Sequence, residues 1–281
     1  MTNILTALST ATELLASSSD SASLDAEVLL CHVLDKARAH LRAWPEKELK
    51  TEDYNHYFQL LKQRQQGLPI AYITGKKEFW SRDFKVNPDV LIPRPDTELL
   101  IELSLKQISD NPKAHLIDLG TGTGAIAITL AAERPDTKII ATDLSDKALN
   151  IAKENASAHQ IKNIQFIKSN WFDEIAPSKF DLVISNPPYI AHKDPHLSQG
   201  DVRFEPDSAL VAKDQGLEDI KSISHTAYNY LNPGGTLLIE HGYNQQIAVR
   251  EIFTSFAYTN ITTHTDLSGN PRVTTGQSNR V

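Results

Sequence analysis

Cysteine is almost missing from this sequence: Cys31 is the only one in 281 residues, so no disulfide can form within the chain. Placed in the apolar helical stretch Val28-Leu29-Leu30-Cys31-His32-Val33-Leu34, it reads as a small core residue rather than a nucleophile. Long apolar runs are missing too, none approaching the roughly 18 residues of a membrane span. The opening Met1-Thr2-Asn3-Ile4-Leu5-Thr6 lacks the basic region and unbroken apolar stretch of a signal peptide, so a cytoplasmic setting with no membrane contact is expected. There is no excess of positive charge: 28 Lys and Arg against 35 Asp and Glu give a formal net charge of −7. That removes any global pull toward nucleic acid, and no direct nucleic-acid substrate is expected, although a local basic groove can sit on an acidic protein. Repeats and low-complexity segments are absent.

What is present is ordinary globular material. At 40% hydrophobic and 22% charged residues, the chain can bury a sizeable core without disulfides or a structural metal. Residues 1–75 read as a small helical domain. Leu24, Val28, Leu29, Val33 and Leu34 recur at helical spacing behind Ser23 as N-cap, and Tyr57, Leu60, Leu61 and Arg64 resume the pattern up to Gly67-Leu68-Pro69. Residues 76–95 read as a connecting β-hairpin, with Phe79, Trp80, Phe84, Val86, Val90, Leu91 and Ile92 broken by Asn87-Pro88-Asp89. Pro95-Asp96-Thr97-Glu98 then opens a helix with acidic residues in its first turn.

Residues 96–281 alternate strand and helix. Strands are expected over 115–118, 138–142, 164–167, 180–185 and 235–240, helices over 125–133, 146–159 and 221–231, and a closing strand pair over 259–265 and 272–276. Such alternation predicts an α/β fold, a Rossmann-like, mostly parallel sheet covered on both faces.

Two stretches carry chemistry. Asp118-Leu119-Gly120-Thr121-Gly122-Thr123-Gly124-Ala125 puts a glycine-rich turn between a strand and a helix, where a ligand can approach backbone unobstructed by Cβ atoms. Asp143 ends the next strand, where a carboxylate can accept both ribose hydroxyls. Together they indicate an adenosine-containing ligand. Gly120-x-Gly122-x-x-Ala125 also satisfies the dinucleotide pattern, so the loop alone leaves NAD and S-adenosylmethionine both open.

Asn186-Pro187-Pro188-Tyr189 decides between them. It follows an apolar strand whose carboxyl end lies on the ligand-binding side of such a sheet. An amide or exocyclic amino nitrogen is a poor nucleophile because its lone pair is delocalised. The Asn186 side-chain oxygen can accept one N–H, and a backbone carbonyl held by Pro187-Pro188 the other. Both acceptors favour a nitrogen becoming tetrahedral and gaining positive charge. Tyr189 offers a flat face for the planar group, and alignment supplies much of the rate. Hydride transfer has no use for such a clamp, so methyl transfer from S-adenosylmethionine is the expected reaction.

A planar NH2 is presented equally by adenine and by glutamine. On Ile92-Pro93-Arg94-Pro95-Asp96-Thr97-Glu98, the glycine loop, Asn186-Pro187-Pro188-Tyr189-Ile190, Asp194 through Pro206 and Glu240-His241-Gly242, the chain resembles the protein-glutamine methyltransferases that modify peptide chain release factors (the PrmC/HemK family). The resemblance spans nearly the whole chain. It implies methylation of the glutamine side-chain nitrogen in the Gly-Gly-Gln motif of class-I release factors, modulating translation termination, with release factors as protein partners. It implies that Gly120, Thr121, Gly122, Thr123, Gly124, Asp143, Trp171 and Asn186 contact S-adenosylmethionine, and that Asn186, Pro187, Pro188 and Tyr189 hold the glutamine. Arg94, Thr97 and Glu205 have no assigned role. His192 and His196 have ligand-like spacing, but Pro195 breaks any helix that would align them, so no metal site is expected.

Overall fold

A computed structural model describes residues 2–279. The chain up to Lys76, together with Ser198–Phe204, forms one compact unit; Lys77–Leu197 and the chain from Glu205 onward form another.

The smaller unit contains helices α1 (Ile4–Leu15), α2 (Ala22–Leu34), α3 (Arg38–Ala43), α4 (Thr51–Gln65) and α5 (Ile70–Thr74). Asn3 caps α1, its Oδ1 accepting the Thr6 amide at 2.9 Å. Apolar residues at helical spacing, among them Ile4, Ala7, Ala11 and Leu15, meet Ala26, Leu29 and Leu30 of α2 and Tyr57, Leu60 and Leu61 of α4 in one core. The buried Tyr57 hydroxyl is satisfied by donating to the Ala26 carbonyl at 2.9 Å. Arg64, also buried, donates to Asp25 at 2.7 Å and to Asp201 at 2.9 Å, which ties in the segment Ser198–Phe204. Three expectations need correction here. Helix α2 starts at Ala22 rather than after Ser23, with Ser21 in the capping position; its hydroxyl donates to Asp25 instead of accepting a backbone amide. Leu24 is exposed, because the buried stripe runs through Ala26, Leu29 and Leu30. Cys31 is only partly buried, at the edge of that core.

The larger unit begins with a hairpin, β1 (Lys76–Phe79) and β2 (Arg82–Lys85). Its turn is Trp80-Ser81, both at positive φ (51° and 57°), the two-residue geometry that matches strand twist. The expected break at Asn87-Pro88-Asp89 is a separate turn after β2, closed by the Asp89 amide on Asn87 Oδ1 at 3.0 Å. Neither Trp80 nor Ser81 is a usual turn former. Their amides are held instead by Glu98 at 3.0 Å and Glu78 at 2.6 Å.

A 3-10 turn (Pro95–Thr97) leads into α6 (Glu98–Gln107), then β3 (His115–Leu119), α7 (Ala125–Glu133), β4 (Lys138–Asp143), α8 (Asp146–Ala158), β5 (Ile164–Lys168), β6 (Phe180–Ser185) and the short β7 (Ile190–Ala191). Short elements follow: α9 (Asp207–Leu210), β8 (Val211–Ala212) and the turn α10 (Lys213–Gly216). The chain ends with α11 (Glu218–Tyr230), β9 (Leu231–Glu240), α12 (Gln246–Ser255), β10 (Thr259–Thr265) and β11 (Pro271–Gln277). Helix α11 starts three residues before the expected position. Strand β9 starts at Leu231 rather than Gly235, because Leu231 pairs with Phe180 before the register shifts.

The seven-stranded sheet runs β10-β11-β9-β6-β3-β4-β5. β3 is parallel to β4 and β6, β5 to β4 and β9 to β6, while β11 is antiparallel to β9 and β10. Residues alternate between two cores. Leu116, Leu182 and Ile184 face α6 and α7; Ile117, Leu119 and Val183 face α11 and α12. Burial on both faces explains the near-continuous apolar strands. The chain leaves β3 toward β4 on one side and later returns to β6 on the other. That makes the gap above β3 and β6 the switch point, where open α/β sheets bind ligands.

Candidate active site

A cavity of about 350 Å³ opens at this switch point, and Gly120, Gly122, Asp143, Trp171, Asn186 and Pro188 are all in its lining. Gly120 sits at φ 73°, and a Cβ there would lie 3.2 Å from the Trp171 ring. Glycine therefore satisfies both the left-handed backbone and the close approach of the indole. Asp143 ties the loop to its strand. Oδ2 accepts the Gly122 amide and Oδ1 the Ser145 amide, each at 2.9 Å. Burial raises its pKa, and backbone donors from Ser145, Gly122 and Leu144 work against that rise. Three backbone donors leave one of the carboxylate's roughly four acceptor sites open, so a ribose hydroxyl can still be received.

Thr121, Thr123 and Gly124 are not in the lining. Thr121 donates its hydroxyl to buried Asp118 at 2.6 Å, the Thr123 carbonyl accepts from Asn155 at 2.9 Å, and Gly124 caps α7. They shape the loop from behind. Burial pushes the Asp118 carboxyl up to about 7, against the hydrogen bond from Thr121.

At the other end, Asn186 donates Nδ2–H to the Thr97 hydroxyl at 3.1 Å. This leaves the carboxamide oxygen as the end able to accept a new N–H. Pro187 is buried, and neither it nor Tyr189 is in the lining. The Tyr189 hydroxyl is 3.4 Å from Glu240, and its carbonyl accepts from Gln245 at 3.0 Å. Glu240 is itself buried at the end of β9. Burial pushes its carboxyl up to about 7, opposed by the Thr97 hydroxyl and the positive charge of Arg272. Arg272 is ion-paired with Asp96 at 3.1 Å. Glu205 is buried and pairs with Arg94 while accepting the Ile92 amide at 3.0 Å. It thus joins two segments whose neighbours, Leu91 and Pro206, both line the cavity. His196 is engaged locally by Asp194 at 2.6 Å. Among the described residues no group of His, Cys, Asp and Glu is arranged to hold a metal.

Sequence reasoning missed Asp219, which lines the cavity and hydrogen-bonds Trp171. Its position in the first turn of α11 is the usual place for an acid at a helix start, which hides any other role. It also missed how Thr97 and Glu240 meet, since they are far apart in the chain and neither spacing nor periodicity links them.

A carboxylate at the end of β4, a flat indole and a loop that presents Gly120 and Gly122 to the cavity suit an adenosine-containing cofactor. With this strand order they define the Rossmann-like methyltransferase class. Comparison with known proteins narrows the class. The PrmC N-terminal domain model matches residues 6–75 and the Methyltransferase small domain model residues 96–202. A release factor glutamine methyltransferase of Vibrio cholerae is 52% identical, the alignment covering 96% of this chain and 95% of the relative. The protein so named in Aliivibrio fischeri is 49% identical, over 92% of this chain and 91% of the relative. A methyltransferase structure from Pyrococcus furiosus shares the fold at TM-score 0.53 and 18% identity, covering 81% of this chain and 99% of that one. The chain belongs to the release factor glutamine methyltransferase family.

Proposed function

We propose that this protein transfers a methyl group from S-adenosylmethionine to the side-chain nitrogen of the glutamine in the Gly-Gly-Gln motif of class-I peptide chain release factors. Bound S-adenosylmethionine supplies an electrophilic methyl on its sulfonium. The chain's own residues do the rest. Asp143 receives a ribose hydroxyl, Gly120 and Gly122 let the cofactor approach the loop, and Trp171 covers the adenine. Thr121, Thr123 and Gly124 hold the loop in shape. Asn186 accepts one N–H of the glutamine amide, and the backbone at Pro187-Pro188 accepts the other, so that positive charge on nitrogen is stabilised as it develops. Tyr189 backs the clamp. No strong base is required, because the methylated nitrogen is acidic enough to lose its proton to solvent.

The observation that carries this reading is the Asn186–Thr97 hydrogen bond, which fixes the amino end of the carboxamide and frees the acceptor end. The helical residues 1–75 serve to recognise the release factor. No helix among the described residues is long and apolar enough to cross a membrane, and a partner used in translation puts the protein in the cytoplasm. Incubation with methyl-labelled S-adenosylmethionine and either a release factor or DNA, followed by peptide mass spectrometry, tests the proposal. One added methyl on the Gly-Gly-Gln glutamine is expected. Label on DNA but not on release factor would overturn it.

A further inference from the structure

An asparagine side chain has an acceptor end and a donor end of nearly equal size, and rotation about its last bond exchanges them. A clamp that needs the oxygen toward a substrate N–H must hold the amide against that exchange. Thr97, buried in the 3-10 turn before α6, accepts from Asn186 Nδ2 at 3.1 Å. A hydroxyl that accepts one hydrogen bond must still place its own proton. Beside it lies the buried Glu240 carboxyl, whose Oε2 has no hydrogen-bond partner of its own within 3.5 Å among the described residues and whose charged form the Thr97 hydroxyl favours. Glu240 ends β9, whose Ile239 pairs with Ser185, the residue before Asn186.

We propose that Thr97 and Glu240 are positioning residues for methyl transfer: a directed chain from Asn186 N–H to the Thr97 hydroxyl to the Glu240 carboxylate holds the Asn186 oxygen toward the nitrogen being methylated. This rests on the function proposed above. Donation toward an anion also polarises the carboxamide, making its oxygen a stronger acceptor as charge builds on the substrate nitrogen.

The direction of the chain depends on the charge of Glu240. An ionised carboxylate can only accept, so Thr97 must donate to it and accept from Asn186. A neutral carboxyl can donate to Thr97, which releases the hydroxyl to point at Asn186 and permits the reversed amide. Burial holds this carboxyl at about 7, so the productive direction is gained as pH rises through that value. The groups facing it are Thr97 and Asp96 from the 3-10 turn, Tyr189 beyond β6, and Arg272 on β11. Arg272 stays charged across this range, and burial pushes the Tyr189 hydroxyl well up, so it stays neutral. His241, next in the chain, is occupied by Gly242 and Thr274 and held neutral by burial.

Kinetics on whole release factor between about pH 6 and 9 test this for wild type, Thr97→Val, Thr97→Ser and Glu240→Gln, with cofactor affinity by calorimetry and thermal unfolding as a check on folding. Thr97→Val should lose roughly 10- to 100-fold in kcat, less than the ~10²–10³ for removing a direct contact. Its KM and cofactor affinity should stay within about threefold, since the ground state does not need the polarised oxygen. Thr97→Ser, which keeps the hydroxyl, should recover most of that loss. Glu240→Gln should lose the acid limb that wild type shows near pH 7. A folded Thr97→Val with near-normal kcat, a loss carried by KM alone, or an acid limb surviving in Glu240→Gln would each overturn the proposal. Should Thr97→Val not fold, the Glu240→Gln profile decides alone. Wild type that fails to methylate a release factor would instead sink the underlying function.

Discussion

Asp143 performs two tasks with one carboxylate. Its oxygens accept the Gly122 and Ser145 amides, and the same group lines the cavity. Replacing it with alanine removes the proposed ribose acceptor and unties the glycine loop together. Asp143→Ala is therefore expected to weaken S-adenosylmethionine binding by about 1–3 kcal/mol, the scale for losing a hydrogen bond to a charged group. Calorimetry on the folded variant measures it, and unchanged affinity would remove Asp143 from the cofactor site. This residue was legible in the sequence because an acid at the end of the second strand is a local pattern. Its backbone partners were not, since a loop's internal hydrogen bonds depend on φ and ψ values that composition leaves open. Thr97 shows the same limit. Its hydroxyl sits between Asn186 and Glu240, a meeting produced by sheet topology rather than by spacing.

Among the elements, α10 carries two successive non-glycine residues in the left-handed region. Asp214 and Gln215 take φ of 50° and 55°, and Gly216 follows at 86°. A Cβ on Gly216 would lie 2.1 Å from the Tyr189 carbonyl oxygen and 2.8 Å from Gln245 Nε2. The same carbonyl is held by Gln245 at 3.0 Å, so the turn and the β9–α12 connection grip the Asn186–Tyr189 segment from behind. Gly216→Ala must push that segment away or unwind the turn. A loss of roughly 2–4 kcal/mol in unfolding free energy is expected, the sum of a forced left-handed residue and overpacking. Denaturant titration checks this, and a variant as stable as wild type would show the grip to be loose. The strands feeding the site were readable because burial on both faces demands unbroken apolar runs such as Leu182-Val183-Ile184. Turns made by unsuited residues were not: the Trp80 amide is held by Glu98 and the Gln215 carbonyl by Gln245, contacts that no local preference reveals.

For the whole molecule, recognition poses the harder demand. A glutamine amide is common on protein surfaces, so the proposed clamp can supply chemistry without selecting the right protein. The helical unit has its own core and leaves Leu5, Trp44 and Phe58 exposed, with Lys62 placed over the Phe58 ring. Exposed aromatic side chains such as Trp44 and Phe58 are of the kind enriched where proteins meet. The larger unit has separate cores on both faces of its sheet, and every residue assigned here to cofactor or clamp belongs to it. Removing residues 1–75 also strips Ser198–Phe204 of Arg64 and Gln66, its partners within the helical unit. The disturbance should stop at Glu205, which Ile92 and Arg94 anchor next to the cavity wall. The truncated chain is therefore expected to bind S-adenosylmethionine with an affinity within about fivefold of the full chain, as for a unit able to fold alone. Its kcat/KM on whole release factor should fall by at least ~100-fold, about 2.7 kcal/mol of lost recognition. Activity on a short Gly-Gly-Gln peptide should fall much less, because a peptide never used the extra surface. Circular dichroism establishes that the truncated chain is folded, and the two substrates are then compared side by side. Equal losses on peptide and whole factor would mean that the helices support the catalytic unit rather than choose its substrate.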